Sequence, residues 1–270
     1  MFTHLHSHSF YSFLDGVPSP DELVQAAVHH EMSALALTDH HGLTGAIEFY
    51  DACQKAGIKP ILGIELAVNH RLGQGNLILL AMDRLGWSSL CRLSSIAQSR
   101  PQRDPTRGID VEQLSAHATG LICLSGGKRG LGQHLIEIDQ NESALAFWDE
   151  LQGIFSQCFY IELQFQQPAD AHSLSRLASA ARSLHLPIVA TNNVHFLYTQ
   201  QAGLQRTLSA MRLNVPIDEL SADASAPAGS HFASEQQMIK RFGDYPEAIA
   251  NTREIADRCN LELPLVVAHY

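Results

Sequence analysis

Several things are scarce in this chain, and each scarcity excludes a class of protein. Positive charge is the first: 18 Lys plus Arg stand against 28 Asp plus Glu, a formal net charge of −10. A sequence-wide grip on nucleic acid needs a basic surface, so binding of that kind is excluded. Long apolar runs are the second. The longest, Leu77–Met82, is strand-sized, far short of the roughly 20 residues of a membrane helix. Paired cysteines are the third. Cys53, Cys91, Cys123, Cys158 and Cys259 are scattered without a CxxC pair, which predicts free thiols and a reduced, cytoplasmic setting. The opening Met-Phe-Thr-His-Leu-His has neither the basic start nor the apolar core of a signal peptide, and reads the same way. There is no internal repeat and no low-complexity tract.

What remains is globular: 270 residues, 45% hydrophobic and 17% charged, enough for one large domain or two small ones. One residue type is abundant. The 15 histidines outnumber the 11 prolines and the 11 phenylalanines. Histidine is the commonest metal ligand and the usual acid or base at neutral pH, so its positions decide the reading.

Short apolar runs at Phe2–His6, Ala34–Thr38, Pro60–Leu66, Leu77–Met82, Gly120–Leu124, Phe159–Leu163 and Pro187–Thr191 predict seven strands. Between most of them lie helical patterns. Ser19, Pro20, Asp21 and Glu22 announce the first helix, with a cap, a proline at the first position and acids at the positive end of the dipole. The second carries Ala46, Ile47, Phe49, Tyr50 and Cys53 and stops at Gly57. Leu85–Ala97, Ala144–Leu151, Ala171–Leu184 and Ala202–Leu213 complete the set. Alternation of this kind predicts an α/β fold with parallel strands, and seven units in one domain suit a closed barrel. The barrel core is expected over about 1–213. A small, acidic, mobile segment is expected over 214–234, and closing helices (Glu235–Phe242, Pro246–Cys259) with a tail over 235–270. Ser99–Gly108, with Arg100, Arg103 and Arg107, reads as a solvated loop rather than a nucleic-acid contact.

Metal-competent side chains gather at strand ends. His6 and His8 follow the first strand as HxH, two residues apart and hence on one side of an extended chain. Asp15 lies in the next turn. The second strand ends in Thr38-Asp39-His40-His41, the third carries a lone carboxylate at Glu65, and the seventh runs into Asn192-Asn193-Val194-His195. In α/β barrels the C-terminal strand ends converge on the site of chemistry. Singly, each feature has a plainer explanation: an incidental HxH, an Asp39–His40 helix cap, a Glu65–Arg71 ion pair. Jointly they predict a metal site. His4, on the opposite side of the strand from His6, is expected to be packed; His29, His30, His117, His134, His172 and His185 are expected at the surface or its boundary. His41 is left between the metal surroundings and solvent. Ser125–Gly130 (SGGKRG) is either a phosphate-binding turn or an ordinary strand-to-helix turn.

HLHSHSFYSFLDG, TDHHGLTGAIEFY, AGIKPILGIE and ATNNVHF together resemble the polymerase and histidinol phosphatase (PHP) domain, in the version carried by bacterial replicative polymerase III alpha subunits. PEAIANTREIADRCNLEL resembles the segment that closes this domain before the polymerase modules, which suggests a piece of a longer protein. The resemblance implies a distorted (β/α)7, TIM-like barrel with divalent ions, commonly zinc, manganese or iron, at the C-terminal ends of the strands. Its metal cleft maps onto His6, His8, Asp15, His40, Glu65, Asn76, Gly127, Asn193 and His195. Three of these depart from the family: Asn76 where His is usual, Gly127 where Cys or His is usual, and Asn193 where Asp is usual. One ion is implied among His6, His8, Glu65 and Asn193, another among Asp15, His40 and His195, and the third site is broken, so two ions at most are expected. The implied activity is metal-dependent phosphoester hydrolysis, on a DNA 3′ end or a phosphate ester, with His40, Glu65 and His195 as catalytic residues. The alternative is a weak or inactive scaffold that docks a proofreading exonuclease and braces the polymerase. A free-standing phosphatase is disfavoured by the polymerase-like closing segment.

Overall fold

The computed structural model describes residues 2–99 and 104–263. Chain order is α1 (Pro20–His29), β1 (Ala34–Leu37), α2 (Ala46–Ala56), β2 (Lys59–His70), β3 (Gly73–Ala81), α3 (Arg84–Gln98), β4 (Ile109–Asp110) and α4 (Val111–Ala116). Then follow β5 (Leu121–Leu124), α5 (Leu131–Glu137), α6 (Asn141–Phe155), β6 (Phe159–Gln164), α7 (Asp170–Ser183), β7 (Ile188–Thr191), α8 (Ala202–Leu213), α9 (Glu235–Arg241) and α10 (Pro246–Arg258). The signals at the start of α1 act as expected: Glu22 N donates to Ser19 Oγ at 3.1 Å, and Ser19 N donates back to Glu22 Oε2 at 2.8 Å.

The strands form one curled sheet in the order β1-β2-β3-β5-β6-β7, with β4 beside β2. The expected first strand is an extended segment without a continuous ladder. It spans the gap between the sheet's two ends: Ala36 N donates to His4 O and Thr38 N to Ser7 O on one side, Val194 N to His6 O and His8 N to Val194 O on the other. The result is a distorted, TIM-like α/β barrel. One expectation needs correction. β3 runs antiparallel to both β2 and β5, while the other pairings are parallel. The cause is length: only Arg71 and Leu72 separate β2 from β3, which makes a hairpin and is far too short for a helical crossover. The helices α4 and α5 and the strand β4 are additions to the expected set. Arg100 and Arg103 of the basic loop lie outside the described residues; Arg107 sits in a 3₁₀ turn, 3.7 Å from Asp104.

The barrel is filled in two storeys. Leu5, Ala36, Ile61, Ile78, Leu80, Ile122, Leu124, Tyr160 and Val189 form an apolar lower storey, and Ile255 and Ala256 of α10, with Cys259 just after it, close it from below. Burying each Leu or Ile stabilises by roughly 1.5–3 kcal/mol. Strand side chains alternate with period two, so the inward set continues upward as Glu65, Asn76, Glu162, Gln164 and Thr191. The upper storey is therefore polar. Segment 214–234 runs over this end on fixed bonds: Arg206 donates to Ile217 O and Leu220 O, Asn192 Nδ2 to Gly229 O and His231 O, and Gln166 Nε2 to Ser230 Oγ. All five cysteines are free.

Candidate metal centre

Two groups of metal-competent side chains occur among the described residues, His6/His8/Glu65 and His8/His40/His195, each with its ligand atoms within 4.8 Å of one another. His8 belongs to both. Its proton can be placed from its neighbours. The Ser12 hydroxyl donates to Asp39 Oδ1 at 2.7 Å, so its lone pairs accept from His40 N (3.1 Å) and from His8 Nδ1 (3.0 Å). With Nδ1 protonated, His8 Nε2 is a bare lone pair. It faces two further acceptors, Glu65 Oε2 at 3.1 Å and Asn193 Oδ1 at 3.0 Å, with His6 Nε2 also at 3.1 Å. His195 behaves likewise: Nδ1 donates to Asn193 O at 2.9 Å, and the buried Nε2 has no hydrogen-bond partner among the described residues. Acceptors converging without protons are the donor set of a cation site, so these residues fit a divalent ion.

His6 is held between two carboxylates, Nδ1 at 2.7 Å from Glu162 Oε1 and Nε2 at 3.0 Å from Glu65 Oε2. Burial opposes its charged form, but Glu162 and then Glu65 outweigh burial and raise its pKa to about 9. Burial and the neighbouring His40 hold His8 well below the ordinary imidazole range. Glu65 is wholly buried, yet His40, His6 and His8 overcome that burial and keep it ionised far below the usual carboxylate range. Its partners exclude the Arg71 pairing, because Arg71 stands in the β2–β3 turn. Asn76 Nδ2 donates to Glu65 Oε1.

Asp15 closes the second group. Its Oδ2 lies 2.8 Å from His40 Nε2, 3.7 Å from His195 Nε2 and 3.2 Å from Arg129 Nη2; its Oδ1 accepts from Gln205 Nε2 of α8 at 2.8 Å. Although buried, it is held far below the usual carboxylate range by His195, His40 and Arg129. Asp39 caps no helix; it accepts from Ser9 N, Ser9 Oγ and Ser12 Oγ, and so fixes the HxH loop. A cavity of about 510 Å³ opens over Asn193 and His195, walled by Lys128, Arg129, Gln166 and Ser230.

Every expected ligand thus reaches the cleft: His6, His8, Asp15, His40, Glu65, Asn193 and His195. His4 is packed, between Phe2 and Phe232, with Nε2 on Ala233 O at 2.9 Å. His41 donates its backbone N–H to Glu65 O, and burial, then His40, lowers its ring pKa to about 4. Glu162, Gln164 and Gln205 have no place in the expectations from sequence, and Arg129 enters them only within the Ser125–Gly130 turn. Glu162 carried a usable signal, one carboxylate in an apolar strand two residues from an inward Tyr160, the same pattern as Glu65. At Gly127 (φ +51°) a Cβ would lie 2.2 Å from Gln164 Nε2, so the Gln164 amide fills the space a side chain at 127 would take.

A PHP domain matches residues 4–166, more than half of the chain. The chain belongs to the PHP domain family. Across 98% of its length this PHP domain is 33% identical to the DNA polymerase III alpha subunit of Chlamydia muridarum and 34% identical to an error-prone DNA polymerase of Symbiobacterium thermophilum. It spans 25% and 26% of those proteins, about a quarter of the curated relatives it matches. An amidohydrolase of Chromobacterium violaceum, solved with bound sulfate and no metal, shares the fold with a TM-score of 0.52 and 16% identity, over 72% of this chain and 88% of that one. No helix among the described residues is long and apolar enough to cross a membrane.

Proposed function

We propose that this PHP domain is a metal-dependent phosphoesterase that holds up to two divalent ions, zinc, manganese or iron, in the His6/His8/Glu65/Asn193 and Asp15/His40/His195 pockets, with His8 shared. The observation that carries the reading is the pair of bare Nε2 lone pairs, on His8 and His195, turned into one cleft beside Glu65 and Asp15. A bound divalent ion supplies Lewis-acid chemistry, neutralising phosphate charge and making water a nucleophile at neutral pH. The chain's own residues do the rest. Glu65, in reach of His6, His8 and His40, balances the charge of both pockets. His40 and His195 flank the side from which the nucleophile approaches, and Asp15 fixes His40. Arg129 and Lys128 stand at the cavity wall, where they meet a phosphate. The substrate proposed is a DNA 3′ end, processed in the cytoplasm beside the polymerase modules of a replicative enzyme.

Three features of the cleft favour a second reading, a scaffold that docks a proofreading exonuclease and braces the polymerase. The Gln164 amide plugs the space at Gly127, and Asn76 and Asn193 bring no charge to the cleft. The test separates the two. Elemental analysis of the purified chain is combined with hydrolysis of an end-labelled oligonucleotide and of a small phosphomonoester, with and without Mn²⁺. Up to two ions per chain and Mn²⁺-dependent release of nucleotide or phosphate are expected, both lost in His8→Ala. Bound metal without any hydrolysis supports the scaffold, and three bound ions contradict both accounts of the cleft.

A further inference from the structure

One contact in the cleft cannot be satisfied from both sides. His40 Nε2 lies 2.8 Å from Asp15 Oδ2 and 3.2 Å from Arg129 Nη1. A guanidinium only donates and an ionised carboxylate only accepts. With a proton on Nε2, His40 bonds Asp15 and opposes Arg129; without one, it bonds Arg129 and opposes Asp15. One of the two contacts is repulsive in either form. Arg129 is therefore held chiefly through Nη2, which donates to Asp15 Oδ2 at 3.2 Å.

The carboxylate has no freedom to follow a departing partner. Asp15 is 2% exposed, and its Oδ1 is taken by Gln205 at 2.8 Å with Arg212 at 3.7 Å. Arg129 is 38% exposed and sits between Gly127 and Gly130 on the turn after β5, facing the open cavity. Of the two, the guanidinium is the one that can leave. The oxygen it occupies, Oδ2, is also the only oxygen of Asp15 turned toward His40 and His195.

We propose that Arg129 is an internal counter-cation that competes with the metal ion for Asp15 Oδ2 and, once displaced, binds the phosphate of the substrate. This rests on the phosphoesterase reading above. A guanidinium and a dication on one carboxylate oxygen repel each other, so loading the pocket expels Arg129 toward the cavity. A phosphate there offers it a bidentate partner of matching geometry. Linkage then requires that ion and phosphate tighten each other by the same factor.

The test titrates Mn²⁺ into the whole 270-residue chain, following free Mn²⁺ by electron paramagnetic resonance, with and without inorganic phosphate. For the unmodified protein, phosphate is expected to tighten Mn²⁺ binding by about tenfold, within the range usual for coupled sites. Arg129→Gln is expected to bind Mn²⁺ about tenfold tighter without phosphate, and to gain little when phosphate is added. Arg129→Ala, which also frees Oδ2, repeats the measurement, and far-ultraviolet circular dichroism verifies that each variant is folded. Equal affinity in the unmodified and variant proteins, or an undiminished phosphate effect in the variants, overturns the inference alone. Failure of every protein to bind Mn²⁺ overturns the metal-centre reading and this inference with it.

Discussion

Glu162 Oε1 lies 2.7 Å from His6 Nδ1, and both side chains are shut away from solvent at the meeting of β6 and the N-terminal segment. The carboxylate also accepts from Gln164 Nε2 at 2.9 Å and from the Thr191 hydroxyl. Because Glu162 can only accept, His6 must carry its proton on Nδ1. The ring is thereby turned so that Nε2 meets Glu65 and His8. A carboxylate that grips the far nitrogen of a ligating histidine fixes its orientation and raises its basicity.

Replacing Glu162 by Gln should therefore weaken the His6/His8/Glu65 pocket while leaving the Asp15/His40/His195 pocket alone. The amide keeps the size but offers weaker acceptance and an N–H donor that His6 Nδ1–H opposes. Loss of such a partner costs roughly 10–100-fold in metal affinity. Competition with a chromophoric chelator reads both sites, and the expected outcome is one weakened affinity of two. An unchanged pair of affinities contradicts the role given to Glu162.

How much of this was legible beforehand varies with the kind of signal. Most strand and helix positions follow from periodicity, and the gathering of His6, His8, His40, Glu65 and His195 in one cleft follows from their places at or beside strand ends. The β2–β3 hairpin was not read, because Asn69 to Gly75 looks polar while the strands run through it. Its residues pair with each other at the part-exposed end of the hairpin, so alternation with the core is lost there. The short α4 and α5 escaped because helices of six and seven residues offer too few turns for an apolar stripe. Gln205, and the contact of Arg129 with Asp15, escaped for another reason: they come from a helix and a turn remote in sequence, and only the folded chain brings them to Asp15. Gly127 was read as a missing ligand. Its backbone also serves packing, since Gln164 lies against it.

That packing gives a second prediction. Gly127→Ala places a Cβ 2.2 Å from Gln164 Nε2 at a residue with φ +51°. Overpacking of this kind destabilises by roughly 1–3 kcal/mol, and the left-handed backbone adds about 1 kcal/mol for a residue with a Cβ. Adding Gln164→Ala should recover the overpacking part and leave the backbone part. Urea denaturation of the two single variants and the double variant measures the coupling. Additive effects would show that Gln164 does not occupy that space.

A third prediction concerns acid. His4 is buried between Phe2 and Phe232, and burial lowers its pKa from 6.5 to about 3. The unfolded chain therefore binds a proton below pH 6.5 that the folded chain refuses until about pH 3. The stability His4 contributes is fully present above pH 6.5 and falls with pH below it, by about 1.4 kcal/mol per pH unit. His4→Gln keeps a donor for Ala233 O and does not titrate. Its unfolding free energy, measured in urea from about pH 7.5 down to about pH 4.5, should fall less steeply than that of the unmodified protein by about that slope. Parallel profiles would mean that His4 takes up its proton without unfolding the chain.

The last prediction uses Asn193, which the resemblance marks as a departure from the family and which touches the bare Nε2 of His8. Its Oδ1 lies 3.0 Å from His8 Nε2, and its backbone has φ +46°, a conformation Asp adopts about as readily as Asn. Asn193→Asp should therefore fold, with a carboxylate where a carbonyl was. Without metal that change is unfavourable, because the new charge and Glu65 both approach the lone pair of His8 Nε2. With metal it is favourable, because a dication between the two carboxylates is attracted by both. The variant should melt below the unmodified protein after treatment with a chelator and above it after saturation with Zn²⁺ or Mn²⁺. A ligand that binds only the folded state adds stability by mass action, so the gap between the two melting temperatures reports affinity directly. The affinity of the His6/His8/Glu65 pocket should rise by about tenfold or more, corresponding to roughly 1–2 kcal/mol of charge interaction. The crossing of the two melting curves is the decisive feature. A variant that is less stable both with and without metal would show that no ion sits between Glu65 and the carboxylate introduced at position 193, and the pocket would have to be redrawn around His8, His40 and His195 alone.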